Sequence, residues 1–307
     1  GTEESKQLAE WLQKGLLEKV QIFAGQRSRP KMERWVRFLK SDESNRSVRK
    51  KTKKIQILDR LAKNNECSWE EIRNTVPNPA QALKNLEKEG CVQIFEKRVF
   101  RRFLEDRMPP IESFQQLKED QQNVFQEVGK NLQEEKYKTY LLEGVTGSGK
   151  TEVYLHAVRL TQELGKSSLV LVPEISLTPL LVNRFRSRFG DAVAVLHSGM
   201  DDGERYDEWS RVRNGLSSIV VGARSAVFAP LKNLGLVIVD EEHDVSYKQG
   251  ETPRYHARDV AVYRGFKAQA TVLLGSATPS LESSYNVKLG KYHPLFLKKR
   301  IFQPTLP

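Results

Sequence analysis

Eight residues, Gly144-Val145-Thr146-Gly147-Ser148-Gly149-Lys150-Thr151, combine glycines, hydroxyls and one lysine at the spacing G-x4-G-K-T. Glycines at these positions let successive backbone N–H groups turn inward, a concavity suited to phosphate oxygens. Lys150 then reaches the terminal phosphates, and the Thr151 hydroxyl holds Mg²⁺. Thr146, Gly147, Ser148 and Gly149 supply the cradle itself. A second group stands further on, Asp240-Glu241-Glu242-His243, directly after the apolar run Leu234–Val239. Acids at the carboxyl end of a strand lie where open α/β sheets bind ligands. Asp240 is expected to hold Mg²⁺ and Glu241 to orient and deprotonate an attacking water. The chemistry implied is hydrolysis of a nucleoside triphosphate.

These groups need positioning elements. Thr139–Glu143 is a short apolar strand pattern before the loop, and Glu152–Leu164 carries Val153, Tyr154, Ala157, Val158, Leu160 and Leu164 at helical spacing. Strand, glycine loop and helix form the context in which such a loop binds phosphate. Further strand-like runs are Leu169–Val172, Val193–Leu196, Ile219–Val221, Leu236–Val239 and Thr271–Leu274, with helical patterns at Leu177–Phe189 and Asp202–Val212. This alternation predicts an α/β fold with a mostly parallel sheet covered by helices.

The residues before Pro109-Pro110 read differently. Leu8–Phe23 and Met32–Leu39 are expected to be helical, and Ser41–Lys54 a polar, basic connection. Ile55–Ala62, a segment capped by Ser68, and a third segment opened by Asn78-Pro79 and closed by Gly90 read as three helices. Val92–Phe103 reads as a hairpin with Glu96-Lys97 near its tip, which completes a winged-helix pattern. Gln81, Lys84, Asn85 and Lys88 are expected on the outer face of the third helix. The expected domains are therefore residues 1–54 (helical and basic), 55–108 (winged helix) and 109–307 (phosphate-loop lobe).

Charge supports a polyanionic partner. The net charge is +11, and residues 1–108 hold 25 Lys and Arg against 16 Asp and Glu. The basic run is densest from Arg27 to Lys54. A basic surface of this kind concentrates nucleic acid, and a solvated loop is the plain alternative. No apolar stretch approaches the roughly 20 residues of a membrane span. Cys67 and Cys91 alone make neither a disulfide framework nor a four-ligand zinc site. A reducing, cytoplasmic setting is the expectation. The start at Gly1-Thr2 suggests a trimmed chain.

Several phrases together resemble superfamily 2 helicases, and within them the primosomal replication-restart helicases. Asp240–His243 is similar to the second helicase motif, Gly275–Ser280 to the third, Val172–Pro179 to motif Ia, and Gly222–Pro230 to motif Ib. Asp244–Arg258 resembles that branch's loop after motif II, and Leu117–Gln121 its adenine-reading motif. The resemblance implies a RecA-like motor lobe, here preceded by a mainly α winged-helix domain. It implies that Gln121 reads adenine, so that ATP is the nucleotide. It further implies that Thr178, Arg224 and Ser225 touch the phosphates of a single DNA strand. Tyr247, Lys248 and Arg254 would engage DNA from the loop after motif II, and His243, Ser276 and Thr278 would couple that face to the nucleotide. His156 and His197 are expected to be structural.

By the same resemblance the function is an ATP-dependent 3′→5′ DNA helicase acting at branched forks in primosome assembly and replication restart. Primosome and single-strand-binding proteins are the implied partners, and the chain is expected to be a monomer. Within this chain there is no second motor lobe and no cysteine-rich zinc module, so weak turnover without unwinding is expected of it. The alternatives are another superfamily 2 repair translocase, or a DNA- or partner-binding module that does not hydrolyse nucleotide.

Overall fold

A computed structural model describes residues 30–39, 52–101 and 109–300. The expected helix at Leu8–Phe23 and most of the basic run lie outside these residues. Among the described residues no helix is long and apolar enough to cross a membrane.

The small unit holds β1 (Lys31–Phe38), α1 (Lys53–Asn64), β2 (Glu66–Ser68), α2 (Trp69–Thr75), α3 (Ala80–Lys88) and β3 (Val92–Val99). Its sheet runs β2-β1-β3, antiparallel throughout. Two expectations are corrected here. Met32–Leu39 is not a helix but strand β1, and Val92–Phe103 is not a hairpin, because β3 pairs along its whole length with β1. Met32, Trp35, Val36 and Leu39 fall at helical spacing, yet alternation decides the outcome. Val36 is fully buried, and Phe38 packs on the same cluster. Trp35 and Arg37 lie on the opposite face, where the Lys97 ammonium sits 4.2 Å from the Trp35 ring and the Arg37 guanidinium 4.8 Å from Phe95. The small unit therefore takes in β1, N-terminal of the boundary expected at residue 55.

The helices of this unit follow local rules. Ser68 caps α2 through Glu71 N–H at 3.1 Å, and the Glu71 carboxylate accepts from Ser68 N–H at 3.1 Å. Leu83 and Leu86 of α3 are buried, and Gly90 ends that helix region with φ +68°. Gln81, Lys84 and Lys88 are exposed.

The large unit begins with α4 (Glu119–Glu134) and β4 (Lys138–Gly144), followed by α5 (Lys150–Glu163) and β5 (Ser167–Leu171). Then come α6 (Pro179–Phe189), β6 (Val193–Leu196), α7 (Asp202–Arg213), β7 (Ile219–Gly222) and β8 (Leu234–Val239). A two-stranded ribbon of β9 (Lys248–Gln249) and β10 (Tyr255–His256) precedes α8 (Ala257–Ala268) and β11 (Thr271–Ser276). The unit closes with α9 (Leu281–Lys288) and β12 (His293–Leu297).

Seven strands form one parallel sheet in the order β12-β4-β11-β8-β5-β7-β6. All residues of β5, β6, β7, β8 and β11 are buried, because helices cover both faces. One core joins the sheet to Val128 of α4, Val158 of α5 and Phe185 of α6. The other joins it to Val212 of α7 and Ala261 of α8. The order matters for chemistry: β11 lies between β4 and β8, so the segments leaving these three strands meet at one sheet edge.

The units touch at α7. Asp207 is fully buried and accepts from Arg98 at 3.3 Å, from the Arg101 guanidinium at 3.0 Å and from Arg101 N–H at 3.0 Å. Nothing in the local sequence around Asp207 announced this role, since its partners lie more than a hundred residues earlier.

Candidate nucleotide and strand-coupling site

Gly149 closes the glycine loop with φ +81°, a left-handed conformation that a Cβ would strain, and α5 begins at the next residue. The helix N-terminus thus opens onto the loop, where aligned N–H groups favour an anion. Lys150 is buried: its Nζ donates to Gly144 O at 2.9 Å and lies 3.2 Å from Glu241 Oε1. The Ser148 hydroxyl is buried with no hydrogen-bond partner. Around them is a cavity of about 610 Å³ lined by the loop, Asp240, Glu241, Arg184 and Arg188. A buried lysine, an orphaned hydroxyl and two acids round one cavity fit a phosphorylated ligand carrying a divalent cation.

Gln121, the last residue of the expected adenine-reading phrase, is buried against the loop. Its Nε2 donates to Ser148 O and Gly149 O, both at 3.3 Å, while its Oε1 accepts from Lys118 N–H at 2.9 Å. It braces the phosphate loop from the N-terminus of α4. A smaller cavity beside it, about 160 Å³, is lined by Lys118, Glu119, Leu297 and Lys299.

Asp240 follows β8 directly. Its Oδ1 accepts from the Tyr154 hydroxyl of α5 at 2.9 Å. Burial, and next the charge of Glu241, push the Asp240 carboxyl above the ordinary range, while the Tyr154 bond and Lys150 pull it back. Gly275 makes this arrangement possible, because a Cβ there would stand 1.7 Å from Tyr154 Oη. Glu241 has φ +45°, rare for a residue with a side chain, and its carboxylate reaches Ala277 N–H at 3.5 Å. Such a conformation stores strain that the surrounding bonds must hold.

The three residues expected to couple nucleotide and strand do come together. His243 Nδ1 lies 2.7 Å from Ser276 Oγ and 3.7 Å from Glu241 Oε2. Its Nε2 is 3.4 Å from Thr278 Oγ1, and Thr278 N–H donates to Ser276 Oγ at 2.9 Å. A chain of polar contacts therefore runs from the acid beside Lys150 to the exposed Thr278.

Glu242 was not singled out by the sequence reading, yet it is fully buried and richly bonded. It accepts from Arg258 at 3.0 Å, Ser280 N–H at 2.7 Å, Ser280 Oγ at 2.9 Å and Ser283 Oγ at 2.8 Å. It pins the start of α9 to the end of β8, and its charge suits a helix N-terminus. The only sequence signal was an acid too many in Asp240-Glu241-Glu242.

The residues expected to meet DNA divide. Thr178 is exposed and caps α6, accepting from Leu181 N–H at 3.3 Å. Ser225 is exposed, as are Lys248 and Arg254 of the ribbon. Arg224 donates to Ser246 O at 3.3 Å and Lys248 O at 2.9 Å, fastening that ribbon to the loop after β7. Tyr247 is a correction: it is fully buried and donates to Asp240 O at 2.6 Å, so it cannot stack on a base. Its ring belongs to the core, and its hydroxyl supports the turn that carries the acids. His156 is structural as expected, its Nε2 lying 2.9 Å from Gln115 O between Phe114 and Phe125.

Comparison with known proteins agrees with this geometry. The DEAD/DEAH box helicase family matches residues 118–287. The replication restart protein PriA of Bacillus subtilis is 46% identical over 225 residues, covering 73% of this chain and 28% of that protein. Its counterpart in Synechocystis is 42% identical over 285 residues, 91% of this chain and 33% of that protein. The Haemophilus influenzae protein is 54% identical over 169 residues, 55% of this chain and 23% of that protein. The chain thus spans about a quarter to a third of the length of these curated relatives. The match from residue 118 to 287 takes in the phosphate loop, both acids and the His243 chain, and the chain belongs to the DEAD/DEAH box helicase family.

Proposed function

We propose that this chain is the ATP-binding lobe of a DNA motor of the PriA kind, a 3′→5′ helicase that acts at branched forks in primosome assembly and replication restart. The observation that carries the reading is the continuous polar path from Lys150 and Glu241 through His243 to Ser276 and Thr278. The helicase family uses ATP with a divalent metal, and Mg²⁺ is the metal proposed here, held by Thr151 and Asp240. When bound, the cation neutralises charge on the terminal phosphate oxygens.

The protein's own groups do the rest. Lys150 exchanges its bonds to Gly144 O and Glu241 for phosphate oxygens, and the loop amides orient the anion. That exchange frees the Glu241 carboxylate to align water as general base. His243 reports the position of Glu241 to Ser276 and Thr278, so a strand held near Thr278 can bias the acid. Thr178, Ser225, Lys248 and Arg254 offer hydroxyls and cations for the phosphates of that strand. The small unit presents Gln81, Lys84 and Lys88 of α3 as a polar, basic face toward DNA or a partner protein.

Binding of a fluorescent ATP analogue to this chain, with the Lys150→Ala and Glu241→Gln variants alongside, tests the site. Loss of a charge-assisted contact is expected to weaken binding on the order of 10- to 100-fold in Lys150→Ala, with Glu241→Gln binding close to wild type. In the longer protein, both changes should abolish DNA-stimulated ATP hydrolysis. Unaltered ATP affinity in Lys150→Ala would sink the proposal.

A further inference from the structure

The phosphate cavity has a wall that neither the glycine loop nor the acids supply. Helix α6 contributes Leu180, Arg184 and Arg188 to it. Val182 and Phe185 of the same helix are buried in the core, so α6 is fixed against the sheet. Its two arginines are held differently. Arg188 is sealed, with 4% of its side chain exposed, between two acids: Nη1 lies 3.3 Å from Glu112 Oε2 and Nη2 3.7 Å from Glu152 Oε2. Glu152 directly follows Thr151 and also accepts from Gln115 N–H at 3.1 Å. Arg188 Nη1 donates in addition to Arg184 O at 3.1 Å, one helical turn back. Contacts running from Glu152 through Arg188 thus set where the Arg184 backbone stands relative to the phosphate loop. The Arg184 side chain is exposed, and its guanidinium has no hydrogen bond or ion pair among the described residues.

We infer that Arg184 meets the phosphate chain of the nucleotide, as a cation that α6 supplies from within this chain. The inference rests on the nucleotide reading proposed above and adds to it a contact outside the phosphate loop and the acid pair. A guanidinium stays charged and presents paired N–H donors that match phosphate oxygens. The acids that could neutralise it instead are already engaged. Glu112 and Glu152 face Arg188, Glu241 faces Lys150, and Asp240 accepts from Tyr154. Arg188 is unsuited to the same part, because its release would strip the partly buried Glu152 of its arginine. Lys150, α6 and the loop amides then grip the anion from three sides, so nucleotide binding is a property of this chain alone.

The test uses this chain with two probes, a fluorescent ATP analogue and inorganic tripolyphosphate, the second read by its displacement of the first. Arg184→Ala is expected to weaken both by the same factor, on the order of tenfold. Arg184→Lys should recover part of that loss, because an ammonium attracts phosphate without the paired donors. Arg184→Gln keeps much of the apolar stem and should match Arg184→Ala, and it carries the comparison should Arg184→Ala fail to fold. Chemical denaturation without nucleotide should be the same in all four proteins, since the side chain has no partner to lose. Unchanged affinity for both probes overturns the inference and leaves the nucleotide reading intact. A loss confined to the ATP analogue also overturns it, because Arg184 would then serve the base or sugar. A wild type that binds neither probe overturns the nucleotide reading together with the inference.

Discussion

Every residue of β8 and β11 is buried, whereas in β1 of the small unit only Val36 is. The large sheet is covered on both faces, so its strands are continuous apolar runs. The small sheet has one packed face and one face of charges and rings, so its strands mix Lys, Glu and Arg with Trp and Val. The two units also treat acids oppositely. In the large unit Glu208 and Glu242 are sealed inside with an arginine each, Arg211 and Arg258. In the small unit Glu66 bridges Arg37 and Lys97 across a partly exposed sheet face, at 2.7 and 2.9 Å. Stability in one unit depends on enclosure, and in the other on partners that water can reach.

The comparison can be broken first at Glu242. Glu242→Ala leaves buried Arg258 with only the exposed Asp259 as its charge partner and frees the start of α9, which is expected to cost about 3–5 kcal/mol. Chemical denaturation should detect this in the large unit; a change below about 1 kcal/mol would show that enclosure is not what holds this region. Val36→Ala removes two methyls from the closed core of the small unit, for an expected loss of about 2 kcal/mol. If the units unfold separately, that loss moves only the small unit's transition, and ATP-dependent stabilisation of the lobe stays as it was. Asp207→Ala removes the joint itself. Arg98 and Arg101 are partly exposed and can turn to water, so the expected cost is about 1–2 kcal/mol. Its signature is a wider separation between the unfolding of the small unit and that of the lobe, and an unchanged separation would mean that the units are joined elsewhere.

The smallest effect concerns acid. Bonds from Lys97, then Arg37, hold Glu66 below its ordinary value of 4.5. Glu66 therefore adds stability above that value and loses it as pH falls through the depressed folded pKa. Burial, the largest cause, raises Glu208, whose contribution is full below 4.5 and fades as pH rises through its raised pKa. Mild acid should thus lower the melting temperature of the small unit while easing Glu208 in the large one. Glu66→Gln should flatten the acid response of the small unit alone, measured by thermal scans across pH. An unchanged response in Glu66→Gln would assign that sensitivity to other groups.

What the sequence disclosed tracks how local the interactions are. The phosphate loop and Asp240-Glu241 were legible because their geometry is set within a few residues of strand end. The parallel strands were legible because burial on two faces writes itself as Val, Ile and Leu. Strand β1 was not, because Met32, Trp35, Val36 and Leu39 also satisfy a helical face, and its true partners begin with Glu66 and Val92. Asp207 and Glu242 were silent for the same reason: each is defined by arginines or serines brought in by topology. Tyr247 misled because an aromatic beside a lysine reads as a stacking platform whether or not the chain folds it inward.

Gly275 makes one demand on sequence drift. A methyl group at that position would overlap Tyr154 Oη, so even alanine is too large while the tyrosine stays. The two positions are then bound by epistasis: a side chain can enter at 275 only in a background where 154 has already shrunk. A smaller residue at 154 strips Asp240 of its hydroxyl donor. Variation at this point of the sheet edge must therefore cross an intermediate with a weakened acid, which predicts paired changes at 154 and 275 rather than single ones.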